Sequence, residues 1–171
     1  PSAIRMMLAL AEQKGWYTNN TDIQLAFVNA PIEETVYIKP PEGVETGENA
    51  GKVYALRGSL YGLVQSSRNF WKLITAKMRE FGMHPTTADD CCFSMRTPSG
   101  EELHVMMVVD DMIQVGNSKA LLNKFLEFLR KDFTVTDDGE IQWFLGVNFS
   151  RDEVTGAIQA SQTAFLDRCL E

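Results

Sequence analysis

Val105-Met106-Met107-Val108-Val109, Asp110-Asp111, Met112-Ile113-Gln114-Val115: two apolar runs flank a pair of aspartates. A β-rich run on each side of a polar pair reads as a hairpin with both arms buried and the pair at its tip. Adjacent carboxylates make each other harder to ionise unless a cation sits between them. Hard Mg²⁺ removes that penalty, and it takes one or two carboxylates together with substrate phosphates. A solvated turn is the plainer alternative, since Asp favours turns for local hydrogen-bonding reasons. The doublets Asp89-Asp90 and Asp137-Asp138 show how readily such a pair arises. The pair alone leaves both readings open, and the rest of the chain decides between them.

The chain has 171 residues, enough for one domain with a substantial core, so residues 1–171 read as a single unit. An apolar content of 44% and a charged content of 23% are globular values. No apolar run approaches the ~18 residues a membrane span needs, so no membrane partner is expected. Pro1 is no initiator, and Ser2-Ala3-Ile4-Arg5-Met6 lacks the build of a signal peptide. The expectation is a piece of a longer polypeptide in a reducing, intracellular (cytoplasmic) compartment, with no targeting signal of its own. Cys91, Cys92 and Cys169 make an odd count without metal-ligand spacing, which favours unpaired thiols. With only His84 and His104, a zinc site or a Ser-His-Asp site has little to draw on. A net charge of −7 argues against a general nucleic-acid coat. The charge is uneven: residues 52–96 carry seven basic and three acidic side chains, and residues 97–171 carry six and thirteen. A basic middle beside an acidic second half suits polyphosphate held next to a carboxylate cluster.

Ser2 to Lys14 reads as a helix, with Ser2 as N-cap, an Ile4, Met7, Leu8 and Ala11 stripe, and Gly15 as stop. Trp16 to Asp22 suits a strand ending near Asp22, and Val36 to Lys39 and Val53 to Leu56 are short strands around a Gly- and Glu-rich loop over residues 42–51. Ser66 or Ser67 caps a helix to Phe81 with Phe70, Ile74 and Met78 on one face. Cys91 to Met95 and Leu103 to Asp110 pair as strands, and Asp111 to Val115 returns. A second amphipathic helix spans Ser118 to Lys131. Ile141 to Phe149 and Ala157 to Ala160 form a further hairpin, and Ser161 caps a last helix. The order points to an α+β fold with helices packed on one face of an antiparallel sheet.

Two-metal nucleotidyl transfer uses carboxylates on neighbouring strands, one at a strand end and one on a hairpin, bridged by cations about 4 Å apart. Asp22-Ile23 and Asp110-Asp111 have that form. Asp22-Ile23-Gln24-Leu25-Ala26-Phe27-Val28-Asn29 and Val36-Tyr37-Ile38-Lys39-Pro40-Pro41-Glu42-Gly43 resemble the first catalytic motif of copia-type LTR-retrotransposon reverse transcriptases. The same holds of Ser59-Leu60-Tyr61-Gly62-Leu63-Val64-Gln65 with Arg68 and Trp71, and of Val108-Val109-Asp110-Asp111. Phe144-Leu145-Gly146-Val147 and Ala160-Ser161-Gln162 follow in the family's order. The resemblance covers almost the whole chain. It implies a polymerase palm with part of the fingers and no thumb, and an RNA-directed DNA polymerase that uses two Mg²⁺ (or Mn²⁺) ions.

The resemblance further implies that Asp22 and Asp110 hold the metals with the Ile23 carbonyl, while Asp111 supports the second site or the primer end. Phe27 would stack under the incoming sugar and exclude a 2′ hydroxyl; a core role is its alternative. Gln65 and Arg68 would contact the nucleotide or template, and Phe144, Leu145 and Gly146 would form the primer grip. The implied partners are an RNA template, a DNA or RNA primer, dNTPs, and the remaining fingers, thumb and RNase H regions of the same polyprotein. The oligomeric state is not implied. The chain departs from the family's pattern at Val108 for Tyr, Ala30 for Gly, Ser66-Ser67 for Ala-Pro, and Val64 and Thr136 for Lys. Thr136 leaves the protonation of pyrophosphate vacant or to a neighbour such as Lys131. Two other readings stand beside this one: an inactive palm used as a binding or scaffolding module, and another palm enzyme such as a nucleotidyl cyclase.

Overall fold

A computed structural model describes residues 2–44, 47–152 and 154–170, the side chains of Ser2, Asn49 and Ala164 excepted. The expected Ser2 cap and the middle of the 42–51 loop thus lie outside the described residues. The chain divides into two compact units, Leu25–Ile74 and the remainder.

In chain order the elements are α1 (Ser2–Lys14), β1 (Tyr17–Ile23), α2 (Ala26–Asn29), β2 (Tyr37–Ile38) and β3 (Tyr54–Ala55), with a 3₁₀ turn at Gly47–Asn49. Then come α3 (Ser66–Phe81), β4 (His84–Pro85), β5 (Cys92–Arg96), β6 (Glu102–Val108), β7 (Asp111–Gly116) and α4 (Lys119–Leu129). The chain closes with β8 (Val135–Gly139), β9 (Trp143–Phe144), β10 (Val147–Arg151), β11 (Ile158–Ser161) and α5 (Thr163–Leu170). The fold is α+β with antiparallel pairing throughout its named sheets.

The larger unit is built on a six-stranded sheet in the order β4-β5-β6-β7-β1-β8. The apolar stripe expected of α1 is its buried face: Ile4, Met7, Leu8 and Ala11. Gly15 ends the helix at φ +60°, with Trp16 N–H donating to the Ala11 carbonyl and Gly15 N–H to that of Glu12. Those two bonds satisfy carbonyls that a helix end leaves orphaned. Ser118 caps α4, its hydroxyl accepting from the Leu121 N–H at 3.2 Å.

The expectation of helices on one face is overturned. Directly opposed residues on neighbouring strands share a face. Met106, Ile113 and Val115 cluster with Ile4, Met7, Leu8 and Ala11 of α1. The alternate positions of β7 end at Gly116, where a Cβ would stand 2.8 Å from Leu122 of α4. Hence α1 and α4 cover opposite faces. The signal was present in Met112-Ile113-Gln114-Val115, buried at every position, as a strand covered on both sides must be.

Two strands lie outside the sequence expectation. The two-residue β4 is too short for any periodicity. β8 reads Val135-Thr136-Asp137-Asp138-Gly139, and Asp and Gly are depleted in strands. Ser66 does not cap α3 either: its hydroxyl donates to the Leu60 carbonyl at 2.5 Å. Cys91, Cys92 and Cys169 are free, and burial with Asp89 nearby pushes the Cys92 thiol up to about 11, leaving it inert. Among the described residues no helix is long and apolar enough to cross a membrane.

In the smaller unit β2 and β3 form a hairpin, and Pro31 bridges Gly58. A side chain at Gly58 would stand 2.6 Å from the Val28 carbonyl, so the close approach requires glycine.

Candidate active site

β1 and β7 run antiparallel and bring Asp22 directly opposite Asp111. The Ile23 N–H donates to the Asp110 carbonyl at 3.0 Å, fixing the end of β1 against the β6–β7 turn. Because Val108 pairs with Asp111, the turn residues are Val109 and Asp110. The hairpin tip is thus one residue earlier than expected, and Asp111 already belongs to β7. Val109 takes φ +59°, an unusual conformation for a β-branched residue. A two-residue hairpin demands a positive φ at its first central position, which explains why the strain falls there.

Directly opposed residues on one face have Cβ atoms roughly 5 Å apart, and like charges there repel. Burial raises the Asp22 carboxyl above its ordinary value, and Asp110 and Asp138 push it further. Asp111 is raised by burial, then by Asp110, Asp22 and Asp138. Asp138 therefore acts on both, although Asp137-Asp138 looks in the sequence like an ordinary doublet. It reaches the site because β8 pairs with β1, placing Thr136 opposite Asp22. A β-prone Thr134-Val135-Thr136 before Asp-Asp-Gly was the available signal. Thr136 Oγ1 accepts from Gln24 Nε2 at 3.1 Å. Lys131 is exposed.

Beside Asp111 opens a cavity of about 560 Å³, lined among others by Asn20, Asp138, Glu140, Trp143, Leu145 and Gly146. Asn20 is buried, donating through Nδ2 to Asp138 at 3.3 Å and to the Trp143 carbonyl at 3.4 Å. The segment Phe144-Leu145-Gly146 turns as expected: Phe144 pairs with Val147 across Leu145 (φ +49°) and Gly146 (φ +78°). Two successive left-handed residues make a tight hairpin, and Gly146 meets that demand without strain.

The structure thus gathers Asp22, Ile23, Asp110, Asp111 and the Phe144–Gly146 turn in the larger unit. Phe27, Gln65 and Arg68 belong to the smaller one. Phe27 is half-buried, its ring 4.6 Å from that of Tyr61 and 6.3 Å from that of Phe70. Gln65 accepts the Asn69 N–H at its carbonyl. Arg68 lies exposed near Glu33, whose carboxyl is held down chiefly by Lys72 and further by Arg68.

Hard carboxylate oxygens that resist ionisation side by side are a donor set suited to a divalent cation. Among the described residues no three His, Cys, Asp or Glu side chains converge to hold an ion by themselves. A site completed by substrate phosphates needs only one or two carboxylates.

A family model described as reverse transcriptase (RNA-dependent DNA polymerase) matches residues 1–171. The chain is 31% identical over 170 residues to the retrovirus-related Pol polyprotein from transposon TNT 1-94 of Nicotiana tabacum, covering 99% of this chain and 13% of the tobacco protein. It is 28% identical over 166 residues to the Pol polyprotein from transposon RE1 of Arabidopsis thaliana, covering 96% and 11%. A truncated transposon Ty1-A Gag-Pol polyprotein of Saccharomyces cerevisiae is 28% identical over 148 residues, covering 82% and 12%. The chain belongs to the reverse transcriptase family, as a copia-type LTR-retrotransposon member. It spans about an eighth of the length of these relatives.

Proposed function

We propose that this chain is the palm, with part of the fingers, of an RNA-directed DNA polymerase. The observation that carries the reading is the direct opposition of Asp22 and Asp111 beside Asp110 on the turn. In the reaction the primer 3′ oxygen attacks the α-phosphorus of a dNTP, the bond to the β-phosphate breaks, and pyrophosphate leaves. Asp22 and Asp110, with the Ile23 carbonyl, would hold two Mg²⁺ or Mn²⁺ ions; Asp111 would support the second or the primer end. Bound ions supply charge neutralisation on the triphosphate and activate the primer hydroxyl.

The protein's own part is positioning. The cavity beside Asp111 would take the primer's terminal nucleotide, with Trp143 as a stacking surface and the Leu145-Gly146 backbone against the strand. Phe27 would exclude a 2′ hydroxyl, and Gln65 and Arg68 would contact nucleotide or template. The RNA template, primer and remaining polyprotein regions are the implied partners.

Primer extension on an RNA template with Mg²⁺ and dNTPs tests this, with Asp110→Asn alongside. Extension by the wild type, lost in the variant, is the expected result. Extension retained by the variant refutes the site. Mg²⁺ binding without extension by the wild type favours an inactive palm, consistent with Thr136 standing opposite Asp22.

A further inference from the structure

A second cavity, of about 360 Å³, lies beyond the Leu145-Gly146 turn. Phe144 and Leu145 line both cavities, so this turn is the wall between them. The floor of the second is apolar and buried, from Ile4, Phe144 and Phe149; Arg5, Leu145 and Gln162 stand exposed at its rim. Among the described residues no hydrogen bond or ion pair engages the Arg5 guanidinium or the Gln162 side-chain amide.

Arg5 also sits where the helix dipole disfavours it, although its intrinsic helix propensity is high. It lies in the first turn of α1, which holds no acidic residue, and a cation there opposes the helix dipole. Ala160-Ser161-Gln162, a motif with no role in the chemistry above, supplies the opposite rim.

We propose that Arg5, with Gln162, binds the sugar–phosphate backbone of the primer strand upstream of its reacting end. A guanidinium fork and an amide donor over an apolar floor match a phosphodiester with its sugar. The strand continues over the Leu145-Gly146 turn from the cavity beside Asp111. The inference rests on the polymerase reading of the Asp22, Asp110 and Asp111 site.

Fluorescence anisotropy with a labelled RNA–DNA primer–template tests it, comparing wild type, Arg5→Ala and Arg5→Lys between about 50 and 200 mM salt. Losing one phosphate contact should flatten the slope of log affinity against log salt by about 0.7–0.9 in Arg5→Ala. Arg5→Lys should keep the slope and recover only part of the affinity. One upstream primer phosphate replaced by a neutral methylphosphonate should weaken the wild type and leave Arg5→Ala indifferent. Alanine at an exposed helical position preserves the fold, which circular dichroism verifies. An Arg5→Ala variant with the wild-type slope and undiminished methylphosphonate sensitivity overturns the inference and leaves the polymerase reading standing. A wild type that binds no hybrid, or binds it without salt dependence, overturns both.

Discussion

Gln114 is completely buried in β7, and its Nε2 donates to Thr21 Oγ1 at 3.0 Å, while among the described residues its Oε1 has no partner. Thr21 precedes Asp22 and is itself inaccessible. The bond ties together the two strands that carry the opposed aspartates. A net hydrogen bond contributes about 1 kcal/mol, and each buried polar atom left unpaired costs about 1–3 kcal/mol. Thr21→Val removes the bond and strands the whole amide, so it should destabilise by about 1–3 kcal/mol. At about 2–4 °C per kcal/mol for a chain of this size, Tm should fall by about 2–12 °C. Gln114→Met deletes both amide atoms at nearly constant volume and orphans only the Thr21 hydroxyl. Its gain and loss are of similar size, and Tm should stay within about 3 °C of wild type. The double variant leaves no unpaired group there and should match or exceed the wild type. Thermal melts of the four proteins, read as a double-mutant cycle, provide the assay. Thr21→Val costing the same in both backgrounds would refute the coupling. A Gln114→Met loss above about 2 kcal/mol would show that the amide has partners this reasoning omits.

Gly116→Ala would place a Cβ 2.5 Å from the Glu102 carbonyl, a backbone atom that cannot swing aside. A loss of about 1–3 kcal/mol is expected in urea unfolding, and an unchanged midpoint would refute the close approach. Phe27→Ala should raise NTP incorporation relative to dNTP in primer extension; an unchanged ratio would leave the ring only its packing on Tyr61 and Phe70. Burial lowers the His104 imidazole below its ordinary 6.5, outweighing the raising effect of Glu102. The unfolded chain then binds the proton more readily. This contribution to stability is complete above pH 6.5 and is lost as pH falls through the folded value. Wild type should therefore destabilise more than His104→Gln on acidification below 6.5; parallel melting curves would contradict this.

Much of the local structure that places the candidate residues was legible because they carry strong local signals. Asp110-Asp111 interrupts a long apolar run, Asp22 lies close to a strand end, and Leu145-Gly146 sits between short β-prone segments. The helices were legible for a similar reason: α1 and α4 show apolar stripes at helical spacing. What escaped depends on pairing across the chain. Asp138 acts on Asp22 and Asp111 only because β8 adds to the far side of β1, some 115 residues away in sequence. An Asp-Asp-Gly segment has weak strand propensity, so tertiary pairing decides its conformation. The face covered by each helix also escapes the sequence, because burial on both sides of β7 reads only as an apolar run and does not say which helix covers which side. The turn was displaced by one residue because backbone pairing, not polarity, selects the central dipeptide.

The two borders of the six-stranded sheet have a consequence for solubility. An uncovered strand edge offers a row of unpaired amides and carbonyls to any neighbouring chain. At one border β4 is two residues long and contains Pro85, which has no N–H to offer an approaching strand. At the other, β8 carries Asp137 and Asp138, and its register shifts between Asn20 and Thr21 of β1. A second copy approaching edge to edge would have to desolvate those carboxylates against its own. The acidic strand that crowds the opposed aspartates thereby also keeps one sheet from extending into the next.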